Sequence, residues 1–281
     1  MSPSLANGYL CTPKEESRKQ MTRDYVGYMS QPAEIGAVAA SIRSATKVVV
    51  LTGAGISTES GIPDFRGPQG LWTKNPEAQK LSHIQYYVAD RDVRVRAWKA
   101  RKDLRPGRFQ PNRGHSALVE LEKKGRLDTL VTQNIDSLHL DAGTSPEILI
   151  EVHGHVREVV CLECGERAPM ERALARVDAG EEDPDCRSCG GILKSATVSF
   201  GQQLVEEDLD RAFHAASTCD VLLAIGSTLE VTPVAYMPEY ALRAGAELVI
   251  INAEPTPFDR SASAVFRTPI GEVLPDIVSR V

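Results

Sequence analysis

The sequence predicts an α/β protein built on a doubly wound parallel sheet. Five short apolar runs have the pattern of buried strands, and helical patterns lie in several of the gaps between them. Strands that alternate with helices are typical of parallel sheets whose two faces are both covered. The alternation is interrupted at two places, which predicts a smaller module formed by two insertions.

Length and composition narrow the class of protein before any motif is considered. The chain has 281 residues, of which 42% are hydrophobic and 25% charged, and a net charge of −6. These values suit one large domain or two small ones and exclude a low-complexity disordered polymer. No apolar run approaches the roughly 18 residues that cross a bilayer, and no secretory signal begins the chain. We therefore expect a soluble, cytoplasmic protein with no membrane partner.

The predicted elements follow in order along the chain. Residues 1–30 lack sustained periodicity and are expected to form a flexible extension. A helical pattern over 33–43 precedes the first strand, Lys47 to Thr52, whose continuous apolar run is typical of a strand buried on both faces. The other predicted strands are 127–132, 148–152, 221–225 and 248–251, and the other helices are 115–124, 206–216 and 236–243.

The two insertions differ in character. Residues 68–111 contain a helix expected over 85–102, whereas residues 157–194 carry two cysteine pairs and an acidic linker over 178–185. We expect both to join one smaller module. The sheet portion would then be assembled from residues 31–67, 112–156 and 195–281.

Small or polar residues follow each of the five predicted strands. Ligands of doubly wound sheets bind outside the carboxyl ends of the strands, so these loops are the candidate site, although ordinary turn chemistry explains each loop taken singly. Gly53-Ala54-Gly55 is part of a dinucleotide-binding fingerprint, since glycines let the backbone approach a phosphate. Thr58 stands where a third glycine is expected, and no acid follows about 20 positions on. Asn252, at the end of the last strand, could bind a ribose instead.

The first loop continues with a segment rich in glycine, proline and serine, which predicts mobility. Within it, Asp64, Phe65 and Arg66 place an acid, an aromatic face and a cation side by side. Such a combination suits an aromatic, polar ligand. A surface turn with one anchoring aromatic residue is the alternative.

His153 is the candidate general base. Among six histidines, it alone follows a predicted strand and precedes a glycine. An imidazole with an ordinary pKa of about 6.5 can accept a proton near neutral pH. A purely structural histidine is the alternative, and the polar loops around it favour the catalytic interpretation.

The cysteine spacing predicts a zinc site. Cys161-x-x-Cys164 and Cys186-x-x-Cys189 have the spacing of a zinc knuckle, and each pair lies beside glycine. Four thiolates leave no open coordination position, so one zinc ion per chain would be structural. Disulfide or redox chemistry is the alternative for these pairs. Cys11 and Cys219 are expected to be unpaired thiols.

A basic stretch over residues 91–113 has nine Lys or Arg against two Asp. It could face nucleic acid or an acidic partner, and a solvated helix face is the alternative. The cysteine-bearing insertion has six basic and nine acidic residues, whereas a zinc module that binds nucleic acid should be positive. The charges therefore argue against nucleic acid as a partner.

The motifs that follow the predicted strands, together with the cysteine pairs, are distributed along residues 33–281. They read Gly53-Ala54-Gly55-Ile56-Ser57, Gly61-Ile62-Pro63-Asp64-Phe65-Arg66, Thr132-Gln133-Asn134-Ile135-Asp136-Ser137-Leu138-His139, His153-Gly154, the two cysteine pairs, Phe200-Gly201, Gly226-Ser227-Thr228 and Asn252-Ala253-Glu254. This set resembles the sirtuins, NAD-dependent protein lysine deacylases, and the chain looks like a bacterial member. The resemblance implies a catalytic domain over 31–281, with a Rossmann-like sheet, a smaller zinc-binding and helical module, and a cleft between them.

The resemblance also implies the residues of the site. His153 would be the catalytic base, with Asn134 and Asp136 as further catalytic residues. NAD, as a co-substrate, would be bound by Gly53, Ala54, Gly55, Thr58, Asp64, Phe65, Arg66, Trp72, Gln133, Asn134, Ile135, Asp136, Gly226, Ser227, Thr228, Asn252, Ala253, Glu254 and Ile270. The acyl-lysine protein substrate would be bound by Val198, Phe200, Gly201 and Val231.

The implied reaction removes an acyl group, preferentially acetyl, from a protein lysine, and yields nicotinamide, O-acyl-ADP-ribose and free lysine. Protein mono-ADP-ribosylation and removal of other acyl groups are alternatives on the same fold. Two departures bear on specificity. Gln202 stands where many relatives have an acid, which should leave backbone pairing of this segment with an extended peptide intact. Trp98 with Arg101 is the nearest match to the Tyr-Arg pair of relatives that remove acidic acyl groups.

Overall fold

The computed structural model describes residues 32–281, so the predicted extension and Cys11 lie outside the described part of the chain. The strands are β1 (Val48–Thr52), β2 (Thr129–Thr132), β3 (Leu149–Glu151), β4 (Gly154–Cys161), β5 (Arg167–Pro169), β6 (Leu193–Thr197), β7 (Val221–Ile225), β8 (Glu247–Ile251) and β9 (Ala264–Phe266). The α-helices are α1 (32–44), α2 (Leu71–Lys74), α3 (Ile84–Ala89), α4 (Arg91–Asp103), α5 (Arg113–Lys123), α6 (Leu138–Ala142), α7 (Met170–Asp178), α8 (Glu206–Thr218), α9 (Met237–Arg243) and α10 (Ile270–Ser279).

Six parallel strands form the larger sheet, in the order β3-β2-β1-β7-β8-β9. β1 pairs with β2 on one side, with Val49 opposite Thr129, and with β7 on the other, with Val48 opposite Val221. The strand order therefore runs outward from β1 in both directions, and this topology confirms the predicted doubly wound α/β class. A ligand crevice is expected where the winding reverses, beside the carboxyl end of β1.

Helices cover both faces of this sheet, which explains its unbroken apolar strands. Val48 and Val50 of β1 belong to a buried cluster with side chains of α1, α5 and α10. Val49 and Leu51 belong to a second buried cluster with α8 and α9. Because successive side chains of a strand point to opposite faces, a strand between two covered faces has no position that faces solvent. Across residues 32–281, every helix is too short or too polar to serve as a transmembrane span.

The loops after β1 and β7 meet at a contact that requires glycine. The Gly55 amide donates to the Gly226 carbonyl at 2.8 Å, and a Cβ on Gly55 would lie 2.7 Å from Gly226 Cα. Gly226 has a φ of +64°, in the left-handed region, and a Cβ there would overlap the Ile56 amide. The close backbone approach expected at Gly53 and Gly55 is therefore made to the neighbouring loop, and this contact shapes the end of the sheet.

The two insertions pack against each other. The second forms a three-stranded antiparallel sheet in the order β5-β4-β6, and α7 packs on it. Trp98 of α4 is 1% exposed and joins Met170 and Leu174 of α7 in the core of this module. The boundary expected at residue 157 falls inside β4, because Gly154–Cys161 is one continuous strand.

The helix expected over 85–102 is two helices, α3 and α4. Asp90 separates them, and its side chain accepts a hydrogen bond from the Asp92 amide at 2.8 Å. An aspartate in this position satisfies a backbone N–H that the first turn leaves free. The apolar periodicity thus continues across Asp90, where the backbone is extended and the helix is interrupted.

The basic stretch over 91–113 faces the acidic linker of the second insertion. Arg94 of α4 pairs with Asp183 at 2.9 Å, and Arg105 pairs with Asp178 at 2.8 Å. The side chains of the first pair are only 14% and 16% exposed, so salt screens them less than a surface pair. An acidic partner of the basic stretch therefore lies in the same chain.

Replacement of Gly226 by Ala tests the loop contact. Gly125 is a matched control, because its φ of +66° is nearly that of Gly226 while nothing lies within 4 Å of an added Cβ. We expect Gly125→Ala to lose about 1–2 kcal/mol of unfolding free energy for the left-handed backbone alone. Gly226→Ala should lose about 1–3 kcal/mol more, because it also overpacks the contact. Urea denaturation measures both, and equal losses would contradict the proposed contact.

Replacement of Asp183 by Asn tests how strongly the Arg94–Asp183 ion pair stabilises the packing of the two insertions. We expect the free energy of unfolding to fall by about 1–2 kcal/mol, which lies between the values for exposed and for buried ion pairs. Glu182→Gln is the control, since its pair with Arg91 is 57% exposed on both sides and should contribute less. Denaturation at low and high salt distinguishes the two variants. If both variants lose the same unfolding free energy, and high salt abolishes both losses, the Arg94–Asp183 pair is only a surface contact.

Candidate active site

A cleft of about 770 Å³ lies at the carboxyl ends of the parallel strands. The loops after β1, β2, β7 and β8 border it, together with parts of the first insertion and the segment after β6. Every residue predicted to act in catalysis, NAD binding or substrate binding borders this one cleft, including the most distant in sequence, Gly53 and Ile270. The four cysteines predicted to bind zinc do not border it.

His153 lies in the turn between β3 and β4, on the wall of the cleft. Its Nδ1 is 2.9 Å from the carbonyl oxygen of Gln133. Because a carbonyl only accepts, Nδ1 carries the proton and Nε2 keeps a free lone pair. Burial lowers the pKa of His153 below its ordinary value of 6.5, against a smaller opposing effect of that hydrogen bond. The imidazole is therefore neutral near pH 7 and able to accept a proton.

Two other histidines lie in the core beneath the site. The Nε2 of His139 is 2.9 Å from Thr52 Oγ1, and its ring centre lies 4.9 Å from that of His115. Burial lowers the pKa of His115 to about 4, so this side chain is uncharged near neutral pH. All six histidines lie within the described residues, and among them only His153 borders the cleft.

Asn134 and Asp136 follow β2 and are joined to the first loop through Ser57. The Asn134 amide donates to the Gly53 carbonyl at 3.0 Å and to Ser57 Oγ at 3.3 Å. Ser57 Oγ in turn donates to Asp136 at 2.6 Å, and the Leu138 amide donates to the second carboxylate oxygen at 2.9 Å. Burial raises the pKa of Asp136, and these hydrogen bonds partly oppose that effect.

Ser57 was not predicted to have a role of its own, although it lies in the Gly53–Ser57 motif. Its position in the glycine-rich loop was the available signal. What the pattern could not show is that Asp136, 79 residues further on, is its hydrogen-bond partner.

The opposite end of the cleft is built from the loops after β7 and β8. The Gln133 amide donates to Ser227 Oγ at 3.0 Å, which links this end to the β2 loop. Asn252 Nδ2 donates to the Glu254 carbonyl at 2.8 Å. Arg267 donates to the carbonyls of Asn252 and Glu254, at 2.6 and 2.8 Å, and so fixes this turn. Arg267 also borders the cleft and was not predicted.

Aromatic side chains close the side of the cleft formed by the first insertion. The ring of Trp72 lies 4.8 Å from Phe65 and 5.6 Å from Phe200, and the Arg66 guanidinium lies 4.9 Å above it. Phe65 and Phe200 are exposed despite these contacts. Phe65 and Arg66 thus form part of an aromatic wall around Trp72, whereas the Asp64 carboxylate accepts from the Gly67 amide at 3.0 Å and closes a local turn.

The segment predicted to bind substrate is held by the chain itself. The Phe200 amide donates to the Ser82 carbonyl at 2.8 Å, and its carbonyl accepts from the Ile84 amide at 3.1 Å. An extended peptide would therefore have to use other backbone groups of this segment. Gln202 Oε1 accepts from the Ser199 amide at 2.9 Å, so the uncharged residue closes a local turn.

The four predicted zinc ligands come together in the second insertion. One Sγ atom from each cysteine lies within 4.8 Å of every other, and the Cys161–Cys189 and Cys164–Cys186 separations are 3.5 and 3.7 Å. A tetrahedral zinc with Zn–S bonds of about 2.3 Å requires S–S separations of about 3.8 Å. The thiols are free, so the arrangement fits zinc and not a disulfide. Cys219 is also a free, buried thiol, as predicted.

Comparisons with known proteins agree on one family. A sequence model described as the Sir2 family matches residues 53–233. The NAD-dependent protein deacetylase 2 of Streptomyces coelicolor is 47% identical over 231 residues, which cover 82% of this chain and 96% of the relative. A solved structure concerning the mechanism and regulation of Sir2 enzymes has a TM-score of 0.80 at 37% identity and covers 88% of this chain and 97% of its own. A structure of Sir2 with a p53 peptide and NAD+ has a TM-score of 0.76 at 31% identity, with coverages of 85% and 95%.

Replacement of one knuckle cysteine tests the metal site. We expect the purified protein to contain one zinc per chain and Cys164→Ser to contain much less, because a neutral hydroxyl replaces a thiolate ligand. Cys219→Ala removes a thiol outside the knuckle and should keep the zinc. Elemental analysis of the three proteins measures the metal. Full zinc content in Cys164→Ser would show that the knuckle is not the site.

Proposed function

The chain belongs to the Sir2 family, also called the sirtuins, and from that membership we propose that it is an NAD-dependent protein lysine deacetylase. One observation carries the proposal: a neutral imidazole, with Nε2 free to accept a proton, borders the same cleft as the loops expected to bind NAD. The naming of its relatives as NAD-dependent protein deacetylases supports the acetyl group as the one removed.

The chemistry of the cleft fits NAD. Backbone amides and small residues line the end formed by the loops after β1 and β7, where the winding of the sheet reverses. Ser227, Asn252 and the turn held by Arg267 supply the polar groups for the adenosine part, and Ile270 supplies an apolar surface. Gln133 and Asn134 face the same space from the β2 loop.

When bound, NAD supplies a ribosyl carbon that loses nicotinamide and takes up the acyl oxygen. The protein residues bind and orient the two substrates around that carbon. Asn134 and Asp136, held in place through Ser57, supply an amide and a carboxylate to the nicotinamide and its ribose. His153 accepts a proton at Nε2 from a ribose hydroxyl, so that this oxygen becomes a nucleophile. The zinc knuckle lies away from the cleft and supports the fold of the smaller module.

The substrate in this proposal is a protein that carries acetyl-lysine. Arg101 borders the cleft, but Trp98, three residues earlier, is 1% exposed and packs inside the module. Trp98 therefore cannot contribute to an acyl pocket as the tyrosine of the Tyr-Arg pair does.

Replacement of His153 by Ala tests the assigned base. We expect deacetylation of an acetyl-lysine peptide to fall by about 10²–10⁴-fold, the typical contribution of a general base. His214 is exposed on α8, so His214→Ala should act as wild type. The measurement is nicotinamide released from NAD with and without the peptide. Release that does not need the peptide, with label from NAD kept on protein, would favour mono-ADP-ribosylation instead.

The pH profile provides a further test of the same residue. Because the pKa of His153 is lowered, the imidazole keeps its basic form to more acidic pH than an exposed histidine. We expect kcat/KM to be level around neutral pH and to fall only below pH 6.5, as the ring takes up a proton. A midpoint of this fall above 6.5 would contradict the buried, neutral imidazole.

A further inference from the structure

Two residues beside the candidate site have a backbone conformation that favours glycine. Within residues 32–281, Ser137 and Leu229 are the only residues other than glycine with a positive φ, of +69° and +56°. A left-handed backbone is strained for a residue with a Cβ, and strain of this kind clusters at functional sites. Ser137 directly follows Asp136, and Leu229 directly follows Thr228, so both lie next to residues predicted to bind NAD.

The two residues are held in this conformation in different ways. Leu229 is 3% exposed and packs in the apolar cluster with side chains of α8 and α9, so its burial fixes it. Ser137 is also buried, and its hydroxyl accepts a hydrogen bond from Arg157 Nη1 at 2.7 Å. Although α6 begins at the next residue, the Ser137 side chain makes no capping hydrogen bond to that helix. The Arg157 guanidinium is therefore the group that holds the Ser137 side chain.

Arg157 is itself fixed by Glu151. Its Nη1 and Nη2 donate to the two carboxylate oxygens of Glu151 at 2.8 and 2.6 Å, and the two side chains are 32% and 14% exposed. A guanidinium paired with a carboxylate through two hydrogen bonds has a set orientation. Glu151 ends β3 and Arg157 lies in β4, so the pair spans the turn that carries His153. Arg157 thus connects this turn to Ser137 in the β2 loop.

The conformation of Ser137 decides how the Asp136 carboxylate is held. The Leu138 amide donates to Asp136 Oδ1 at 2.9 Å, and this hydrogen bond closes over Ser137, which lies between the two partners. Its geometry therefore depends on the φ and ψ of Ser137, which are 69° and 9°. If Ser137 left the left-handed region, the Leu138 amide would turn away from Oδ1. The hydrogen bond from Ser57 to Oδ2 would then be left to orient the carboxylate.

We propose that Arg157 is a positioning residue for the reaction. Through Ser137 it keeps the turn after Asp136 left-handed, and so keeps the Asp136 carboxylate in the position from which it meets the ribose of NAD. This inference rests on the proposed function, in which Asp136 contacts the nicotinamide ribose. Neither Arg157 nor Ser137 borders the cleft, so each acts on the substrate only through Asp136.

Glycine at position 137 distinguishes this role from a general stabilising one. Glycine adopts the left-handed backbone without strain, so Ser137→Gly keeps the turn without help from Arg157. Ser137→Ala keeps the strain and loses the hydroxyl that Arg157 binds. We therefore expect Ser137→Gly to have the wild-type kcat/KM for NAD. Ser137→Ala and Arg157→Met should have a lower value, and Ser137→Gly should restore it when combined with Arg157→Met.

Steady-state kinetics measure these effects. We expect Arg157→Met and Ser137→Ala to lower kcat/KM for NAD about 5- to 10-fold, as the loss of one hydrogen bond does, with KM for an acetyl-lysine peptide unchanged. The double variant Arg157→Met/Ser137→Gly should return kcat/KM for NAD to the wild-type value. Both Arg157→Met variants leave Glu151 without its cation, so a difference between them reports the backbone and not the charge near Asp136.

Arg167→Met is the matched control. Arg167 also pairs with a glutamate of β4, Glu158 at 2.8 Å, and does not border the cleft. Its loss removes an arginine–glutamate pair from the same strand without touching Ser137. This variant should therefore have the wild-type kcat/KM for NAD.

Crystal structures of the variants without substrate give a readout that does not depend on activity. The hydrogen bond from the Leu138 amide to Asp136 should be absent in Arg157→Met and present in the double variant and in Arg167→Met. Arg157→Met with this hydrogen bond intact would overturn the proposal. A double variant no more active than Arg157→Met would also overturn it, because Arg157 would then only stabilise the fold. A wild-type protein that does not deacetylate the peptide would overturn the proposed function, and the crystal structures would still decide the role of Arg157 in the turn.

Discussion

The contact between the loops after β1 and β7 is the constraint on which the site depends. Both loops leave the sheet at the point where its winding reverses, and Gly55 and Gly226 let their backbones touch without a side chain between them. This contact sets where the next residues of each loop lie. Ser57 is thereby placed beside Asp136, and Ser227 beside Gln133. The two ends of the cleft are thus positioned by one backbone contact and by hydrogen bonds to the β2 loop.

Much of the sheet could be predicted from the sequence, because β1, β2, β7 and β8 are buried on both faces and leave an unbroken apolar run. The edge strand β9 could not, since only Phe266 of its three residues is buried. The antiparallel sheet of the second insertion was also missed. Its longest strand, Gly154–Cys161, is buried only at Val156, Val159 and Cys161, which is not the two-residue alternation of a half-buried strand, so the spacing of the cysteines was the stronger signal there.

The residues of the candidate site could be predicted on two grounds. Loops at the carboxyl ends of parallel strands converge, and the sequences of these loops resemble those of one family. Local patterns cannot show which distant groups form hydrogen bonds. Arg267 was missed for that reason, as its acceptors are the carbonyls of Asn252 and Glu254. The basic stretch could not be interpreted alone, because Arg94 meets Asp183 89 residues away, and a net charge does not report such a pairing.

The packing of the two insertions has a mechanical consequence. Each insertion leaves the large sheet and returns to it, so the smaller module is attached by four chain segments. A body on two tethers can swivel, whereas one on four can rock only along a restricted path. Trp98 and the Arg94–Asp183 pair join the two insertions through a shared core and an ion pair. Any widening or narrowing of the cleft would then displace the zinc knuckle and α4 together, as one rigid body.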